Sequence, residues 1–536
     1  MKKIKSDIHR RGAICMFVIM VLFLIAVLRV SSVSGDSALA EKAAQQSLVR
    51  LRVSRQRGTI FDTNLEPLTN DKTMTVTAVT PLETAVSRIC PILGEEQKTV
   101  LLERASEGRP TLVKTGQSIT GEGLYNVTVA VNQSSDTLAP HLLGYTDSTG
   151  HGVCGVQKAF DKSLYSGSTV DFCYTRDGKG DIIAEFGCEV KFKEGVELGG
   201  VKLTIDADIQ AAAETVADSL KRGAIVISEV GSGKIRALVS RPDYDPTNVA
   251  EYLNDPASPL LNRAFCAYNV GSAFKPCVAA AALESGAVTN RLFECVGSLM
   301  IEEKSFACHR TAGHGPLDLR LALAYSCNTY FYSLALDVGA KPIYNMASSL
   351  GFGQRHYFAD SLFTERGFLP SPDELFSPRS LANLAIGQGD LMLSPVSMLT
   401  LYESIAGGGV YYKPSICEGY VDGGEVYETE RPLPTRVMSE QTAATIKSAL
   451  MDVIKKGTGV SAAPKKCTAA GKTATAQTGW LDGERKVEHS WVCGFFPAED
   501  PQYVAVILSE DTNGGGTACS PLFSRLADAI FDLKLS

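Results

Sequence analysis

Three short motifs in this chain hold residue types that fit covalent acyl transfer. Ser272-Ala-Phe-Lys275 comes first, Ser326-Cys-Asn328 follows, and Lys472-Thr-Ala-Thr475 comes much later. In this order they supply a serine nucleophile, a lysine base, a polar relay and a cationic strand that can hold a carboxylate. The S-x-x-K spacing alone is weak, because about one or two matches are expected by chance in a chain of this length. The prediction depends on the order of all three motifs.

The first motif lies at the start of a predicted helix. The run PCVAAAALES begins at Pro276, so Ser272 and Lys275 lie just before it or in its first turn, where a serine alone would be read as an N-cap. Three residues apart on a helical turn, the two side chains share a face. Free N–H groups at a helix N-terminus can bind an oxyanion. Lysine is a base only when neutral, so its pKa must fall from ~10.4 toward ~7. Burial beside Phe274 and the second cation Lys472 would both lower the pKa of Lys275.

The second and third motifs could complete such a site. Ser326 falls between two helical runs, LRLALAY and TYFYSLAL, where a polar residue alone would indicate only a break between helices. As part of a site, Ser326 could pass a proton between Lys275 and a leaving amine, and Asn328 could bond a substrate amide. The sequence CTAAGKTATAQT predicts a strand of small residues that can pair with an extended peptide. The N–H of Thr475 could then supply half of an oxyanion hole.

Length and composition bound the class of protein. The chain has 536 residues, which predicts two or more domains. With 45% hydrophobic and 21% charged residues, its composition is that of an ordinary globular protein. The formal net charge of -7 is spread along the chain, so there is no basic footprint for nucleic acid. Function must therefore be sought in motifs rather than in bulk charge.

The N-terminal residues predict a membrane anchor. Several Lys and Arg side chains lie within residues 1–11, and the uncharged run Gly12–Leu28 follows and extends toward Val33. A bilayer span needs about 17–25 apolar residues, so 12–33 is the predicted transmembrane segment. A cleaved signal peptide is the alternative, since Ala38-Leu-Ala40 resembles a cleavage site, although it lies well beyond the apolar run. Positive charge on the N-terminal side predicts that 1–11 is cytoplasmic and that the large remainder is extracytoplasmic.

The remaining chain divides by pattern near residue 200. Residues 34–200 mix short β-like runs with helical stretches, including a predicted helix over 37–52, and hold no nucleophile–base spacing. This indicates a stalk or docking domain. From 201 to 536 the pattern is strands, a helical middle over 276–456, strands again and a closing helix. We therefore expect one sheet assembled from both ends of this second domain, in an α+β layer architecture.

Cysteine usage leaves one pairing open. Of the 14 cysteines, Cys15 lies in the apolar N-terminal run and 13 lie beyond it, so at least one thiol cannot pair within the chain. Most are expected to serve as small buried hydrophobes. Cys295 and Cys308 differ, because they bracket the insert VGSLMIEEKSFA just before the second motif. A disulfide there would shape the rim of the site, and its formation depends on geometry that sequence does not give.

Taken together, these features resemble those of class B penicillin-binding proteins, the D,D-transpeptidases of peptidoglycan synthesis. The resemblance covers nearly the whole chain and includes segments outside the three motifs: Arg57-Gly-Thr-Ile-Phe-Asp62, His141-Leu-Leu-Gly-Tyr145, Gly152-Val-Cys-Gly155, Leu203-Thr-Ile-Asp206 with Gln210, Gly313-His-Gly315, Gly387-Gln-Gly389, His489-Ser-Trp491 and Gly494-Phe-Phe-Pro497. It implies a penicillin-binding transpeptidase fold over 201–536, with an antiparallel sheet and flanking helices. It also implies an elongated pedestal or dimerisation-like domain over 34–200 and one transmembrane helix.

The resemblance implies a role for each motif residue. Ser272 would be acylated by the D-alanyl-D-alanine end of a stem peptide, with Lys275 as the base. Ser326 would relay protons, and Asn328 would orient the acyl amide. An amine from a neighbouring strand would then resolve the acyl-enzyme into a cross-link.

The resemblance extends to ligands and partners. Lys472 and Thr473 would hold the substrate carboxylate, and β-lactams would acylate Ser272 as suicide substrates. No metal or organic cofactor is implied. The implied partners are peptidoglycan stem peptides, the membrane, a polytopic glycan polymerase of the cell-shape and division family, and other divisome-type proteins. The chain looks closest to the division and sporulation group, which implies a role in septal or spore wall synthesis.

Three departures from the family pattern bear on activity. Ala474 stands where the family has glycine, Val270 replaces a proline, and Gln157 stands where the pedestal signature has glutamate. None of them removes a reacting group. Two alternatives stay open. A membrane-tethered β-lactamase or β-lactam sensor would use the same motifs, although no acid is evident to activate a deacylating water. A scaffold of a septal complex with a decayed site is the other, and Ala474 is its main support.

Overall fold

The computed structural model describes residues 2–35, 37–193, 195, 199–287, 292–482, 484–511 and 518–535. The chain forms two compact units, each discontinuous in sequence. The first unit comprises Met1–Gln56, Thr73–Ala130 and Ser168–Gly195. The second unit comprises Arg57–Lys72, Val131–Gly167 and Val196–Ser536. The segment 34–200, predicted from sequence as one pedestal domain, therefore contributes residues to both units.

Helices and strands are interspersed along the described chain. The α-helices are α1 (Lys2–Ser34), α2 (Ser37–Gln46), α3 (Glu83–Ile89), α4 (Glu95–Ser106), α5 (Pro140–Leu143), α6 (Gly155–Ala159), α7 (Asp161–Leu164), α8 (Ala207–Ala217), α9 (Lys275–Glu284), α10 (Leu319–Ala324), α11 (Asn328–Val338), α12 (Ala340–Ser349), α13 (Pro378–Ala385), α14 (Pro395–Ala406), α15 (Glu440–Lys456) and α16 (Ser520–Lys534). The strands are β1 (Leu48–Arg57), β2 (Ile60–Phe61), β3 (Lys72–Val79), β4 (Thr111–Lys114), β5 (Leu124–Val131), β6 (Tyr165–Thr175), β7 (Cys188–Lys193), β8 (Gly200–Leu203), β9 (Gly223–Glu229), β10 (Ile235–Arg241), β11 (Phe293–Cys295), β12 (Ser298–Ile301), β13 (Lys304–Ala307), β14 (Gly315–Leu317), β15 (Tyr357–Ala359), β16 (Leu362–Phe363), β17 (Val410–Tyr411), β18 (Cys417–Asp422), β19 (Glu425–Glu428), β20 (Thr435–Arg436), β21 (Ala470–Asp482), β22 (Arg485–Phe496) and β23 (Tyr503–Ser509).

The first unit begins with a long apolar helix and continues into small sheets. Within α1, Asp7–Ser34 is long and apolar enough to cross a membrane, by length and composition only, and it contains the predicted span 12–33. The helix predicted over 37–52 ends early, at Gln46, and β1 begins at Leu48. The reason is visible in β1, where alternate residues Val49, Leu51 and Val53 pack on one apolar cluster. A repeat of two places side chains on one face of a strand, not of a helix.

The second unit is built around a five-stranded antiparallel sheet with the order β10-β9-β23-β22-β21. The hairpin β9–β10 comes from the start of the predicted second domain, and β21–β23 come from its end. Strand β9 joins the two groups, because Ile225 of β9 pairs with Ile507 of β23. The prediction of one sheet assembled from both ends of the domain is confirmed. This order leaves β21 at an edge of the sheet.

Apolar clusters cover both faces of this sheet. Alternate residues of a strand point to opposite faces, so Ile225 and Ile227 join one buried cluster while Ala224 and Val226 join the other. The first cluster includes the inner faces of α8 and α16, and the second includes α9 and the helices around it. Full burial of an apolar side chain of this kind stabilises a fold by about 1.5–3 kcal/mol. Strand β9 is apolar on both faces because it lies inside the unit.

Helix α9 is the central helix of the second unit. Its residues from Lys275 to Ala282 are all buried, although Lys275 is a charged residue type. The four alanines at 279–282 have small side chains, so neighbouring helices can approach α9 closely. The helix therefore fixes the position of the residues at its N-terminal end.

The segment 276–456 is not helical throughout, in contrast to the sequence prediction. Between α9 and α10, β11 pairs with β14, and β12 forms a hairpin with β13. Further short pairs are β15–β16 and β17–β20, and β18 joins a four-stranded sheet with the order β19-β18-β8-β2. Most of these strands are two to four residues long, too short for a period of two to stand out in the sequence.

A buried arginine ties together two of the segments that were predicted to belong to the pedestal. The Arg57 side chain donates to the Gln157 side-chain oxygen at 2.8 Å and pairs with Asp161 at 2.8 Å. Gln157 stands where the family pattern has glutamate, yet its amide oxygen still accepts this hydrogen bond. Asp161 supplies the negative charge that a buried guanidinium requires. The departure at 157 is thus accommodated within the second unit.

Candidate active site

Ser272 lies in a 3₁₀ turn, Gly271–Phe274, that leads directly into α9. Gly271 has φ +55°, and a Cβ at this position would lie 2.7 Å from the Thr475 carbonyl oxygen of β21. Only glycine combines this backbone conformation with so close an approach. On the other side, the Gly271 N–H donates to the Gly387 carbonyl oxygen at 2.9 Å. These contacts hold Ser272 beside the edge strand.

The Lys275 side-chain nitrogen contacts three oxygen atoms in a fully buried position. Nζ donates to the Ser326 carbonyl oxygen at 2.7 Å, to Asn328 Oδ1 at 2.7 Å and to Ser326 Oγ at 3.1 Å. The carbonyl and amide oxygens only accept hydrogen bonds, whereas a hydroxyl can also donate. A neutral amine has two N–H donors and one lone pair. It can therefore serve both acceptors and still turn its lone pair toward a serine hydroxyl.

Burial also sets the protonation of the two lysines. Desolvation lowers the pKa of Lys275 from 10.5 to about 7, while the nearby thiols of Cys327 and Cys308 oppose part of this shift. The pKa of Lys472 lies well below its usual value because that side chain is buried and because the charge of Lys275 is close. At neutral pH, Lys275 is therefore poised between its charged and neutral forms, which suits a general base.

The connection between α10 and α11 presents Ser326 to Lys275. Ser326 has φ +54°, a left-handed conformation that is unfavourable for a residue with a Cβ. Two backbone hydrogen bonds hold it, from the Ser326 N–H to Leu323 O at 3.2 Å and from the Cys327 N–H to Ala322 O at 2.9 Å. Such strained residues cost about 1–3 kcal/mol and concentrate at functional sites. In this conformation, the carbonyl oxygen and the Oγ of Ser326 both contact Lys275 Nζ.

A cavity of about 560 Å³ lies beside these residues. Five of the predicted site residues line it: Ser272, Ser326, Asn328, Thr473 and Thr475. The two lysines of the prediction do not line the cavity and are 0% exposed. The structure thus brings the three motifs to one place, with hydroxyl and amide groups at the surface of the cavity.

Strand β21 offers main-chain groups to this cavity. On its inner side it pairs with β22, where Thr475 lies opposite Ser490. The Thr475 carbonyl oxygen lies close to Gly271, on the outer side of the strand. The N–H and C=O of one residue in an extended strand point to the same edge, so the Thr475 N–H faces the Ser272 turn too. Together with the N–H of Ser272 at the start of its turn, it could supply the two donors of an oxyanion hole.

Lys472 lies behind this edge rather than in the cavity. Its Nζ donates to the Thr473 carbonyl oxygen at 2.9 Å. The Thr473 hydroxyl lies at the cavity and contacts the Thr458 hydroxyl at 3.1 Å. The hydroxyls of Thr473 and Thr475 are therefore the groups of this motif that a ligand meets first. Direct contact of Lys472 with a substrate carboxylate stays a prediction.

Ala474, the departure in the third motif, is almost completely buried. It is 4% exposed and belongs to the same core cluster as Ala476. Residues two apart on a strand share a face, so the Ala474 methyl lies on the face of Ala476 and not on that of Thr473 and Thr475. Ala474 borders the cavity, but its side chain is packed in the core. The methyl group is accommodated without a change in the reacting residues.

Several residues of the cavity were not identified from sequence: His309, Tyr332, Gln388, Thr458, Gln477 and Glu488. Gln388 lies within Gly387-Gln-Gly389, a segment that resembles the family but was given no role. Glu488 lies opposite Gln477 across β21 and β22. It is the only acidic residue that lines the cavity in the part of the chain that the structure describes. No sequence signal marks it, because its position depends on the register of two strands.

The disulfide considered between Cys295 and Cys308 is not formed, because both residues are free cysteines. The two thiols instead share a small cluster with His314 and Cys327. The Thr329 hydroxyl donates a hydrogen bond to one of these thiols, Cys295 Sγ, at 3.1 Å. The fold thus brings the two cysteines close without joining them, and the disulfide that the sequence left open is absent from this structure.

The site combines a serine in a turn before a central helix, a buried lysine one turn further on and an edge strand beside them. This combination is that of a penicillin-binding transpeptidase site. The model of the penicillin-binding protein transpeptidase domain matches residues 223–528, more than half of the chain. The chain belongs to this family, as a class B penicillin-binding protein and an enzyme of the serine transpeptidase type.

Known relatives cover most of the chain. It is 27% identical over 512 residues to stage V sporulation protein D of Bacillus subtilis, covering 88% of this chain and 77% of the relative. It is 29% identical over 465 residues to the peptidoglycan D,D-transpeptidase PbpA of Mycolicibacterium smegmatis, covering 80% and 89%. The structure of penicillin-binding protein 3 from Mycobacterium tuberculosis with aztreonam has a TM-score of 0.66 at 22% identity, covering 91% of this chain and 97% of that one. The predicted fold is confirmed.

Acylation by a penicillin is expected to accelerate as the pH rises through about 7. Lys275 is a base only when neutral and its pKa is about 7, so the rate should fall about tenfold per pH unit below that value and level off above it. The measurement is the second-order rate constant for labelling by a fluorescent penicillin across this pH range. Lys275→Ala should lower the plateau by about 10²–10⁴-fold. A flat profile in the native protein would contradict the assignment of Lys275 as the base.

Gly271→Ala is expected to lower the acylation rate constant by at least about tenfold, because the new Cβ would collide with the Thr475 carbonyl oxygen and displace the Ser272 turn. Gly286→Ala is the matched control. It lies just beyond the other end of α9, also has a positive φ of +71°, and has open space around its Cβ position. The control should lose about 1 kcal/mol of stability and keep its acylation rate. Equal losses of activity in both variants would show that backbone strain alone is responsible.

Ala474→Gly is expected to change the acylation rate constant by less than about fivefold. The Ala474 side chain is packed in the core, so its removal should cost about 0.5–1 kcal/mol of stability without opening the site. Ala476→Gly, two residues further on the same face, is the control for stability. A gain in acylation rate of tenfold or more, specific to position 474, would show that the methyl group obstructs ligands.

Proposed function

We propose that this protein is a peptidoglycan D,D-transpeptidase that works through an acyl-enzyme on Ser272. The proposal depends above all on the buried Lys275, whose Nζ contacts Ser326 and Asn328 next to the cavity that Ser272 lines. A lysine that can be neutral, placed one helical turn from a serine, is the arrangement of an activated nucleophile. The similarity to a peptidoglycan D,D-transpeptidase, over 80% of this chain, supports the same substrate class.

In the acylation step, Ser272 Oγ attacks the carbonyl carbon of the penultimate D-alanine of a stem peptide. The serine proton passes to the neutral amine of Lys275. The carbonyl oxygen becomes an oxyanion, stabilised by the N–H groups of Ser272 and Thr475. When the tetrahedral species collapses, the C–N bond breaks, and the leaving amine of the terminal D-alanine takes a proton through Lys275 and the Ser326 hydroxyl.

The second step transfers the acyl group to an amine of a neighbouring stem peptide. The amine nitrogen attacks the ester carbon and loses its proton to neutral Lys275. The ester bond to Ser272 Oγ breaks, and the serine regains a proton. The Asn328 side chain has its oxygen engaged by Lys275, so its NH₂ group is the part available to hold the acyl-chain amide. The edge strand β21 can pair with the extended peptide main chain.

Hydrolysis of β-lactams is the rival function, and one observation favours it. Glu488 lines the cavity, and a carboxylate near an acyl-enzyme can activate water as a general base. A β-lactamase would release its penicilloyl group rapidly, whereas a transpeptidase would retain it. Glu488→Gln separates the two, because it should slow deacylation only if the carboxylate activates water.

The N-terminal helix and the relatives support a proposed setting for the reaction. Asp7–Ser34 has the length and composition of a membrane span. The Lys and Arg residues within 1–11, at the N-terminal end of this helix, support a cytoplasmic N-terminus with the catalytic unit outside. Similarity to a stage V sporulation protein supports a role in septal or spore wall synthesis. A polytopic glycan polymerase and other divisome-type proteins are the partners that we infer for this setting.

The test is labelling of the full-length protein in membranes with a fluorescent penicillin, followed by chase with unlabelled drug. A long-lived adduct is expected in the native protein, and Ser272→Ala should abolish it by removing the nucleophile. Ser285→Ala is the control, because its hydroxyl lies at the opposite end of α9 and donates to Ala282 O at 3.0 Å, away from the cavity that Ser272 lines. D-alanine release and cross-linked product from a lipid-linked pentapeptide substrate would then be measured in the same variants.

Three outcomes would overturn the proposal in different ways. An adduct that persists in Ser272→Ala would place the nucleophile elsewhere. Rapid release that Glu488→Gln slows would indicate a β-lactamase or sensor. A native protein that forms neither a penicillin adduct nor a cross-linked product would be a scaffold.

A further inference from the structure

A cluster of three cysteines and one histidine lies beside the second motif. One ligand atom from each of Cys295, Cys308, His314 and Cys327 lies within 4.8 Å of every other. The three cysteines are buried, at 2%, 3% and 0% exposure, and His314 is half-buried. Among the described residues, this is the group of His, Cys, Asp and Glu side chains whose geometry could hold a metal ion.

The separations of the ligand atoms match the edges of a metal-centred tetrahedron. Zinc binds thiolate sulfur at about 2.3 Å and imidazole nitrogen at about 2.0–2.1 Å, so a tetrahedral site has S···N edges of about 3.5 Å and S···S edges of about 3.8 Å. His314 Nδ1 lies 3.5 Å from Cys295 Sγ and 3.6 Å from Cys308 Sγ. Cys308 Sγ lies 4.0 Å from Cys327 Sγ. A disulfide would need a sulfur separation of about 2.05 Å.

Four structural elements, β11, β13, β14 and α11, place these ligands. Cys295 ends β11 and is paired with Gly315 of β14, so His314 lies at the neighbouring position across the pair. Cys308 follows directly on β13, and its N–H donates to the Gly297 carbonyl oxygen at 2.8 Å. Cys327 is the N-cap residue of α11. The hairpins that the sequence analysis missed thus converge with the second motif.

The donor set specifies the class of metal. Three thiolates and one imidazole nitrogen form a closed tetrahedral set, which is typical of structural zinc and unlike the oxygen ligands of magnesium or calcium. Thr329 supplies supporting contacts, since its hydroxyl donates to Cys295 Sγ at 3.1 Å and lies 3.3 Å from Cys327 Sγ. Hydrogen bonds of this kind orient metal ligands and tune their affinity.

We propose that Cys295, Cys308, His314 and Cys327 form a structural zinc site that fixes the Ser326-Cys327-Asn328 motif. Cys327 lies between the two residues that contact Lys275, so a metal bound to its sulfur would hold Ser326 and Asn328 in place. The site would tie the insert between α9 and α10 to the catalytic centre. It goes beyond the transpeptidase function, because metal binding needs neither Ser272 nor a substrate.

The first test is the zinc content of the purified full-length protein in detergent, measured by mass spectrometry of the elements after dialysis against metal-free buffer. About one zinc ion per chain is expected in the native protein and in Ser272→Ala. The double variant Cys295→Ser/His314→Ala should retain less than about a tenth of that amount, because two of four ligands are lost. Cys90→Ser is the control for loss of a cysteine, since Cys90 lies in the first unit.

A second measurement uses the native protein, so it does not depend on whether variants that lack a metal ligand can fold. Native protein stripped of zinc and loaded with cobalt(II) should show thiolate-to-cobalt charge-transfer absorption and the intense visible bands of a tetrahedral site. Thr329→Val should weaken zinc affinity by about 10–100-fold. Removal of zinc should slow penicillin acylation, and added zinc should restore the rate.

Two results would overturn the zinc site. One is a native protein that binds no zinc or cobalt when its thiols are reduced. The other is a disulfide between two of the three cysteines in protein isolated without reductant, with zinc absent. Either result leaves the transpeptidase proposal standing, because a Ser272-dependent penicillin adduct is measured separately.

Discussion

The burial of the Lys275 amine is the interaction on which the rest of the active site depends. A lysine placed in a water-excluded position is costly in its charged form, so its neutral form becomes accessible near pH 7. That form still needs acceptors for its two N–H groups, and the Ser326 carbonyl and the Asn328 amide supply them. The left-handed conformation of Ser326, between the end of α10 and the start of α11, places these acceptors at the lysine. The proposed nucleophile, Ser272, needs only to be held within reach of this amine.

Much of this arrangement could be predicted from local sequence patterns. The run of small residues in β21, the Gly231-Ser-Gly233 segment between β9 and β10 and the helix start after Ser272 are short-range signals. Those signals also predict the order of strands, helices and strands in the second domain. This order in turn predicts a single sheet built from both ends of that domain. The motif residues could be assigned because the chemistry of acyl transfer demands a nucleophile, a base and anion-stabilising donors in one place.

Other features depend on contacts that no local pattern encodes. Lys472 lies outside the cavity because of the face of β21 on which its side chain falls. Glu488 lines the cavity because of the register of β22 against β21. The hairpins between α9 and α10 are too short to show a periodic pattern. Cys295 and Cys308 were read as a pair because they bracket an insert. The positions of His314 and Cys327 beside them depend on folding of the insert against α11.

The open edge of β21 has a consequence for resistance to inhibitors. The strand contributes backbone N–H and C=O groups to the cavity, and every amino acid except proline carries both groups. Replacing one side chain by another therefore leaves these recognition groups in place for a peptide or a β-lactam alike. Selection for a drug-insensitive variant would have to move the strand or reshape the residues around it. Because Gly271 packs closely against the Thr475 carbonyl of this strand, any such movement would also disturb the turn that holds Ser272. Escape from the drug is thereby coupled to loss of the natural reaction.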